Sequence, residues 1–220
     1  MIKLSKQSSF EVLVLLLLTD FVIVGLHIAA RIYPATTSLY WAIDADRSFG
    51  ETFQYIKELW LIFSFAALTK IRSDRSYWSL SLLFCYLFID DLFFLHERWG
   101  DEIAIYFGFP SMLNLRSQDY GELLVNAIAG SFFAVLIGVS YWLGSKTFRH
   151  VCQRVLVLLA GLIFCGIVLD AIHVIIDTIS PKFPNVFNIL EDGGEMLFMS
   201  ALCWYGVSLL KRGEHSASSL

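Results

Sequence analysis

Charged residues are scarce in this 220-residue sequence. They make up 16% of the chain, whereas an ordinary soluble domain has about 25%. Hydrophobic residues make up 57% and the mean hydropathy is +0.65, so a soluble globular enzyme and a disordered chain are both excluded. The net charge of -4 also lacks the basic excess of a nucleic-acid-binding surface. We therefore expect no nucleic-acid partner.

The sequence also lacks the motifs of redox sites and thiolate metal sites. It has four cysteines, no CxxC motif and no His-x-x-x-His pair. Three of the cysteines lie within apolar stretches and Cys152 lies at a helix end, so we expect no disulfide outside the membrane. No internal repeat is evident, which disfavours a transporter built from inverted repeats.

Long apolar stretches are abundant. A helix that crosses a bilayer needs roughly 20 mostly apolar residues. We predict an all-α, polytopic membrane helical bundle of about six transmembrane helices, in a single domain over residues 1–212, followed by a short polar cytoplasmic tail over residues 213–220. The predicted spans are Phe10–Ala30, Gln54–Lys70, Tyr77–Glu97, Glu122–Gly144, Val155–Asp177 and Asn188–Leu210.

The distribution of loop charges predicts the orientation of the bundle. When the N-terminus is placed in the cytoplasm, ten of the 16 Lys and Arg residues lie on the cytoplasmic side, as the positive-inside rule requires. Both termini are then cytoplasmic. In this orientation 16 of the 20 acidic residues fall in the outer loops or the outer halves of the spans. We therefore expect an integral membrane protein with a site that faces the extracytoplasmic side.

Acidic residues and histidines occur inside three predicted spans, where a central charge costs about 2.5–3.5 kcal/mol. Asp90 and Glu97 are seven residues apart and are expected to share one face of the third span. At 1.5 Å per residue, the polar groups of the three spans fall at one depth in the outer half of the membrane. The candidate residues are Asp90, Asp91, His96 and Glu97 in the third span, Asp170, His173 and Asp177 in the fifth, and Glu191 and Glu195 in the sixth.

Carboxylates and imidazoles from several helices are the donors from which metal sites in helical bundles are built. Asp170 and His173 have the i, i+3 spacing that places two ligands on one helix face. Imidazole and carboxylate without thiolate suit a divalent metal, Zn or alternatively Fe or Mn. A bound zinc would generate hydroxide and make the protein a hydrolase of a lipid-like substrate. The expected ligands are Asp90, Asp91, His96, Asp170, His173, Asp177 and Glu191, and Glu97 and Glu195 are the expected catalytic residues.

Other interpretations stay open beside the metalloenzyme. Carboxylates and histidines within spans are also typical of proton- or cation-coupled transporters, although Asp20 is the only candidate for a path through the inner half. A third hypothesis is a non-catalytic assembly subunit whose acids pair with basic residues of a partner, because Arg98 is the only base nearby in the chain. We expect His27 to be a hydrogen-bonded core residue and Asp44–Ser48 to cap the second span rather than cover the site.

Three of these stretches resemble a group of bacterial multi-pass membrane proteins of unknown activity. The stretches are Asp44–Ser48, the pair of acids followed by His-Glu within Asp90–Glu97, and the acidic start of the last span, Glu191–Glu195. The resemblance implies a location in the bacterial inner membrane and no particular activity, and Asp91 stands where that group has Glu. A looser analogy connects the sequence with membrane-embedded zinc hydrolases of the alkaline ceramidase type.

Overall fold

The computed structural model describes residues 2–33, 38–111, 115–172 and 184–217. Within these ranges the chain is helical and has no strand, which confirms the all-α prediction. A 3-10 turn at Leu39–Trp41 precedes the second helix, and a π-helical turn at Phe164–Leu169 extends the sixth. The helices are α1 (Ile2–Ile32), α2 (Phe49–Ile71), α3 (Tyr77–Phe93), α4 (Leu95–Phe107), α5 (Ser117–Leu143), α6 (Lys146–Ile163) and α7 (Pro184–Ala217).

Four helical segments are long and apolar enough to cross a membrane, and α3 with α4 makes a fifth if this bent pair counts as one span. Large apolar side chains on these segments are left on the outside of the bundle. Val135 is 68% exposed and Val157 is 72% exposed, which is typical of a surface that contacts lipid. The protein is therefore an integral membrane protein. The four segments are Phe10–Ile32, Ser117–Leu143, Lys146–Ile172 and Val186–Arg212.

α2 is not among these segments, and four of its residues are charged. It is 23 residues long, which at 1.5 Å per residue is about 35 Å and exceeds the hydrocarbon thickness of about 30 Å. Two of its charged residues, Lys57 and Glu58, have no exposed surface, and α2 packs against both α3 and α7. The charged groups of Lys57 and Glu58 are thus accommodated inside the bundle and away from lipid.

The predicted third span, Tyr77–Glu97, is not one helix. α3 ends at Phe93, and Phe94 adopts the left-handed conformation with φ 54°, which interrupts an α-helix. α4 leaves this bend at 71° to α3 and packs along α5. The prediction that Asp90 and Glu97 share one helix face is therefore wrong, because the two residues lie on different helices.

The two ends of the bundle differ in charge. We call the end with loop 38–48 and the α3–α4 bend the acidic end, and the end with the α2–α3 loop and the α5–α6 turn the basic end.

At the basic end, the Asp74 carboxylate accepts hydrogen bonds from the backbone N–H groups of Ser76 (2.9 Å) and Ser145 (3.2 Å). Partial burial raises the pKa of Asp74, but the hydrogen bonds outweigh burial and hold this pKa below its usual value.

An apolar core fills the part of the bundle nearer the basic end. It joins α2, α3, α6 and α7 through side chains that have no exposed surface. The rings of Phe65 and Phe84 stack with their centres 5.7 Å apart, and Phe148 packs edge-on against Tyr77 at 5.1 Å. The buried Lys, Asp and Glu side chains of the spans lie outside this apolar core.

Candidate functional site

A buried ion pair connects three helices in the middle of the bundle. The Lys57 ammonium lies 3.2 Å from Oδ1 of Asp20, and it donates to the Met196 carbonyl at 3.0 Å and to Oγ of Ser200 at 3.3 Å. Ser200 donates in turn to the second oxygen of Asp20. The residues Lys57, Asp20 and Ser200 are each at most 1% exposed. The sequence indicated no partner for Asp20 in the inner half of the membrane. In the structure its partner is Lys57 on α2.

Three carboxyl groups from three helices lie beside this ion pair. Glu58 of α2 faces Asp91 of α3 and lies within electrostatic range of Glu195 of α7. Glu195 also interacts electrostatically with Asp91. We call Glu58, Asp91 and Glu195 the carboxyl cluster.

Glu58 is the most enclosed member of the carboxyl cluster. It has no exposed surface, and neither of its carboxyl oxygens receives a hydrogen bond from an N–H group or hydroxyl of the described residues. Two facing carboxyl groups in a buried place repel each other when both are ionised. A shared proton or a bound cation removes this repulsion, and the nearby Lys57 ammonium is already bonded to Asp20 and its neighbours. The cluster is therefore chemically suited to take up a cation.

The π-helical turn after α6 makes room for Glu195. A Cβ atom at Gly166 would lie 1.9 Å from Oε1 of Glu195, and a Cβ atom at Gly194 would lie 2.6 Å from Sγ of Cys165. The two glycines thus allow the π turn and α7 to approach closely. Such turns inside α-helices occur frequently at functional sites. The Glu195 carboxylate lies directly against the backbone of this turn.

Asp90 and His96 form a separate pair at the α3–α4 bend. Oδ1 of Asp90 accepts a hydrogen bond from the backbone N–H of His96 at 2.9 Å, and Oδ2 lies 3.1 Å from the His96 Nδ1. Asp90 is only 4% exposed, so it fixes the first turn of α4 and the orientation of the imidazole ring. A carboxylate that holds Nδ1–H leaves Nε2 as the free acceptor, base or ligand.

The residues before α2 cap that helix, as predicted for Asp44–Ser48. Oγ of Ser48 accepts a hydrogen bond from the backbone N–H of Glu51 at 3.2 Å. The Glu51 carboxylate reaches back to the backbone N–H of Arg47. α2 therefore begins at Phe49, five residues before the predicted start at Gln54.

Asp44 has a different role within the same loop. Its carboxylate accepts a hydrogen bond from the Asn188 amide at 2.7 Å and pairs with Arg31, so it joins loop 38–48 to α7 and α1. Nδ1 of His27 accepts a hydrogen bond from the backbone N–H of Ile43 at 3.1 Å. The prediction that His27 is a hydrogen-bonded core residue is confirmed.

The described ranges contain no group of three or more His, Cys, Asp or Glu residues arranged to hold a metal ion. Two of the expected ligands, His173 and Asp177, lie outside the described residues. The metal site thus stays a prediction from the sequence.

The other predicted site residues are divided among several places. Asp91 and Glu195 meet in the carboxyl cluster. The rest are distributed around this cluster and the bend: Asp170 and Glu191 lie within electrostatic range of Glu195, Asp90 and His96 form their own pair, and Glu97 lines a pocket at the acidic end.

Two residues of the site, Lys57 and Glu58, were not among the predicted site residues. A signal for them exists in the sequence, because two adjacent opposite charges in the middle of a 23-residue helix are unusual in a membrane protein. That signal does not indicate which residues Lys57 and Glu58 contact. Lys57 pairs with a residue on α1, whereas Glu58 turns towards α3 and α7.

A family profile described as a domain of unknown function (DUF8692) matches residues 9–209, which include α2 to α6 in full and most of α1 and α7. The chain belongs to the DUF8692 family. The carboxyl cluster, the buried ion pair and the α3–α4 bend all lie within the DUF8692 match. No curated protein and no solved structure matches this DUF8692 chain.

Proposed function

We propose that this protein binds a cation at the carboxyl cluster within the membrane, either a proton shared by the carboxyl groups or a divalent metal ion that draws these groups closer together than they lie in this structure. The observation that supports the proposal is the fully buried Glu58, which faces the Asp91 carboxyl group and receives no hydrogen bond from an N–H group or hydroxyl of the described residues. An uncompensated charge in such a place costs several kcal/mol. A cluster with only oxygen donors suits protons or hard cations such as Mg²⁺, Ca²⁺ or Mn²⁺.

Proton- or cation-coupled transport is the activity that this arrangement supports best. Glu58 follows Lys57 directly on α2, so a positive charge taken up beside Glu58 weakens the attraction that keeps Lys57 on Asp20. Buried acids next to a buried ion pair are typical of proton and ion pathways. The apolar core, including the fully buried Leu61 and Phe65, closes the route towards the basic end in this conformation.

We also propose how the bundle lies in the membrane. If α2 is a sixth crossing, both termini lie on the side of the basic end, and the positive-inside rule favours the cytoplasm for that end. The carboxyl cluster then lies nearer the extracytoplasmic side. The resemblance to bacterial multi-pass proteins supports the bacterial inner membrane. The basic residues of the two loops at this end include Lys70, Arg72, Arg75, Lys146 and Arg149.

The Glu58→Gln variant is expected to lose the response of the wild-type protein to cations. Purified protein in detergent is first treated with a chelator, and its unfolding temperature is followed by tryptophan fluorescence during titration with Mn²⁺ or Mg²⁺ and between pH 5.5 and 8.5. Metal binding stabilises the wild type by mass action, by about 2.7 kcal/mol at a hundredfold excess over Kd. A shared proton instead makes stability fall as the pH rises, because the unfolded chain releases that proton.

Two further variants make this test specific. Glu102→Gln removes an exposed acid on α4 and should keep the wild-type response. Gly166→Ala keeps all three carboxyl groups but places a Cβ atom where Oε1 of Glu195 lies, so it should weaken the response. If wild type and Glu58→Gln respond identically to metal and to pH, the proposal is wrong.

A second candidate function is a metal-dependent hydrolase of a lipid-like substrate, which the Asp90–His96 pair favours. The contact between Asp90 Oδ2 and His96 Nδ1 is the arrangement that supports many metal-binding histidines through their second ring nitrogen. Zinc bound there would supply hydroxide near neutral pH. His96 and Glu97 would then lie at the reacting centre.

Metal content tests this second candidate directly. Elemental mass spectrometry of protein purified after growth in metal-supplemented medium is expected to find stoichiometric Zn, Fe or Mn in the wild type. His96→Ala and His173→Ala should each lose the metal, whereas Glu102→Gln should retain it. Wild-type protein that carries no metal would exclude the hydrolase and leave the proton-binding form of the first proposal unaffected.

A further inference from the structure

A pocket of about 410 Å³ opens at the acidic end where loop 38–48 meets the α3–α4 bend. Asp46 and Arg47 line it from the loop, and Phe94, Glu97 and Arg98 line it from the bend. We call it the junction pocket. None of its lining residues belongs to the carboxyl cluster.

The backbone on both sides of the junction pocket is held in an unusual conformation. Arg47 has φ 57° and Phe94 has φ 54°, a region that L-residues with a Cβ atom rarely adopt. The Arg47 backbone N–H donates to the Glu51 carboxylate, and Asp90 anchors the first turn of α4 just after Phe94. Non-glycine residues held in such conformations concentrate at ligand sites, and here two of them line one pocket.

The two arginines of the junction pocket have uncommitted side chains. Neither the Arg47 nor the Arg98 guanidinium forms an ion pair or hydrogen bond with any residue of the described ranges. By contrast, Arg31 and Arg116, at the same end of the bundle, each pair with an aspartate. Two guanidinium groups without such a partner thus line one pocket.

We propose that the junction pocket binds the phosphoethanolamine headgroup of a phospholipid. Guanidinium groups bind phosphate oxygens in a bidentate manner, and Arg47 and Arg98 supply two of them. Asp46 and Glu97 supply two carboxylates for a primary ammonium, so the lining has no net charge, as a zwitterion requires. A quaternary ammonium prefers a cage of several aromatic rings. Among the described residues that line this pocket, Phe94 is the one aromatic residue.

The surroundings of the pocket favour a lipid over a soluble headgroup. Next to the bend, Leu92 is 37% exposed and Phe93 is 51% exposed, which provides an apolar surface for acyl chains. Trp99 follows Arg98 and is 51% exposed, and tryptophan is enriched at the level of lipid headgroups. The pocket and this apolar surface are contiguous in the chain.

The test compares headgroups and sources on delipidated protein in detergent. Unfolding temperature and native mass spectrometry are followed during titration with phosphatidylethanolamine, with phosphatidylcholine of the same acyl chains, and with water-soluble phosphoethanolamine. We expect phosphatidylethanolamine to bind at least tenfold more tightly than either of the other two. Equal affinity for the two lipids would overturn the headgroup assignment, and equal affinity for soluble phosphoethanolamine would overturn the assignment to a lipid.

Variants locate the binding. The double variant Arg47→Gln/Arg98→Gln is expected to lose at least tenfold in affinity for phosphatidylethanolamine, and each single variant should lose part of it. Arg75→Gln removes an exposed arginine at the basic end and should bind as the wild type does. Undiminished binding by a folded double variant would overturn the proposal. The Glu58→Gln variant should bind phosphatidylethanolamine as the wild type does, because Glu58 does not line the junction pocket. Failure of the lipid proposal can therefore be told apart from failure of the cation proposal.

Discussion

Replacement of Lys57 by methionine is expected to destabilise the protein by about 3–5 kcal/mol, the cost of removing one partner of a buried ion pair. Asp20 is 1% exposed, and among the described residues the Ser200 hydroxyl is the one donor that remains to it once the ammonium is gone. The Met196 carbonyl also loses its contact with Lys57. Denaturation of the detergent-solubilised protein with SDS, followed by circular dichroism, measures this loss.

Two controls separate the ion pair from a general effect of losing lysine. Lys70→Met removes an exposed lysine from the last turn of α2 and should cost less than about 1 kcal/mol. The double variant Asp20→Asn/Lys57→Met removes both charges and should recover most of the lost stability, because no uncompensated charge is left. If Lys57→Met is no worse than Lys70→Met, the ion pair does not stabilise the bundle.

The Gly121→Ala variant is expected to force α4 away from α5 at a cost of about 1–3 kcal/mol, the usual range for overpacking. A Cβ atom at Gly121 would lie 1.9 Å from the carbonyl oxygen of Gly100. This oxygen belongs to the backbone and cannot rotate aside as a side chain can. The adjacent backbone is equally close, since a Cβ atom at Gly100 would lie 2.6 Å from the backbone nitrogen of Glu122.

The matched control for this prediction is Gly130→Ala on the same helix. Nothing lies within 4 Å of a Cβ atom at Gly130, so the change should be neutral or stabilise α5 by up to about 1 kcal/mol through helix propensity. Thermal unfolding of both variants measures the difference. Because α4 carries Glu97 and Arg98, Gly121→Ala should also weaken lipid binding at the junction pocket. Equal stability of the two variants would show that α4 has room to move.

The fold class and the approximate positions of the spans could be predicted because apolar runs are a local property of the sequence. The bend at Phe94 could not be predicted from the sequence. The segment around it, Asp91–Glu97, contains neither Gly nor Pro, the residues that usually mark such a break. The left-handed residue is instead stabilised by the two contacts between Asp90 and His96. An uninterrupted helix was therefore the natural expectation.

The candidate site was predictable only in part, and for a similar reason. Depth along a helix follows from residue counting, which is why the acids of the third, fifth and sixth predicted spans were expected at one level. Rotation about the helix axis and the reach of long side chains do not follow from counting. Residue counting therefore did not show that Glu58 faces Asp91, or that Asp90 bonds His96 through both of its carboxylate oxygens.

The sequence by itself determined that the chain is an all-α integral membrane protein, because long apolar runs remain in lipid only when helices satisfy every backbone hydrogen bond internally. It also showed that carboxylates are placed inside the spans. Only the tertiary structure decided which charges pair. Asp20 lies 37 residues from Lys57 and 180 residues from Ser200 along the chain, and no local pattern relates such positions. Their contact depends on how α1, α2 and α7 pack, because packing brings together side chains from distant parts of the chain.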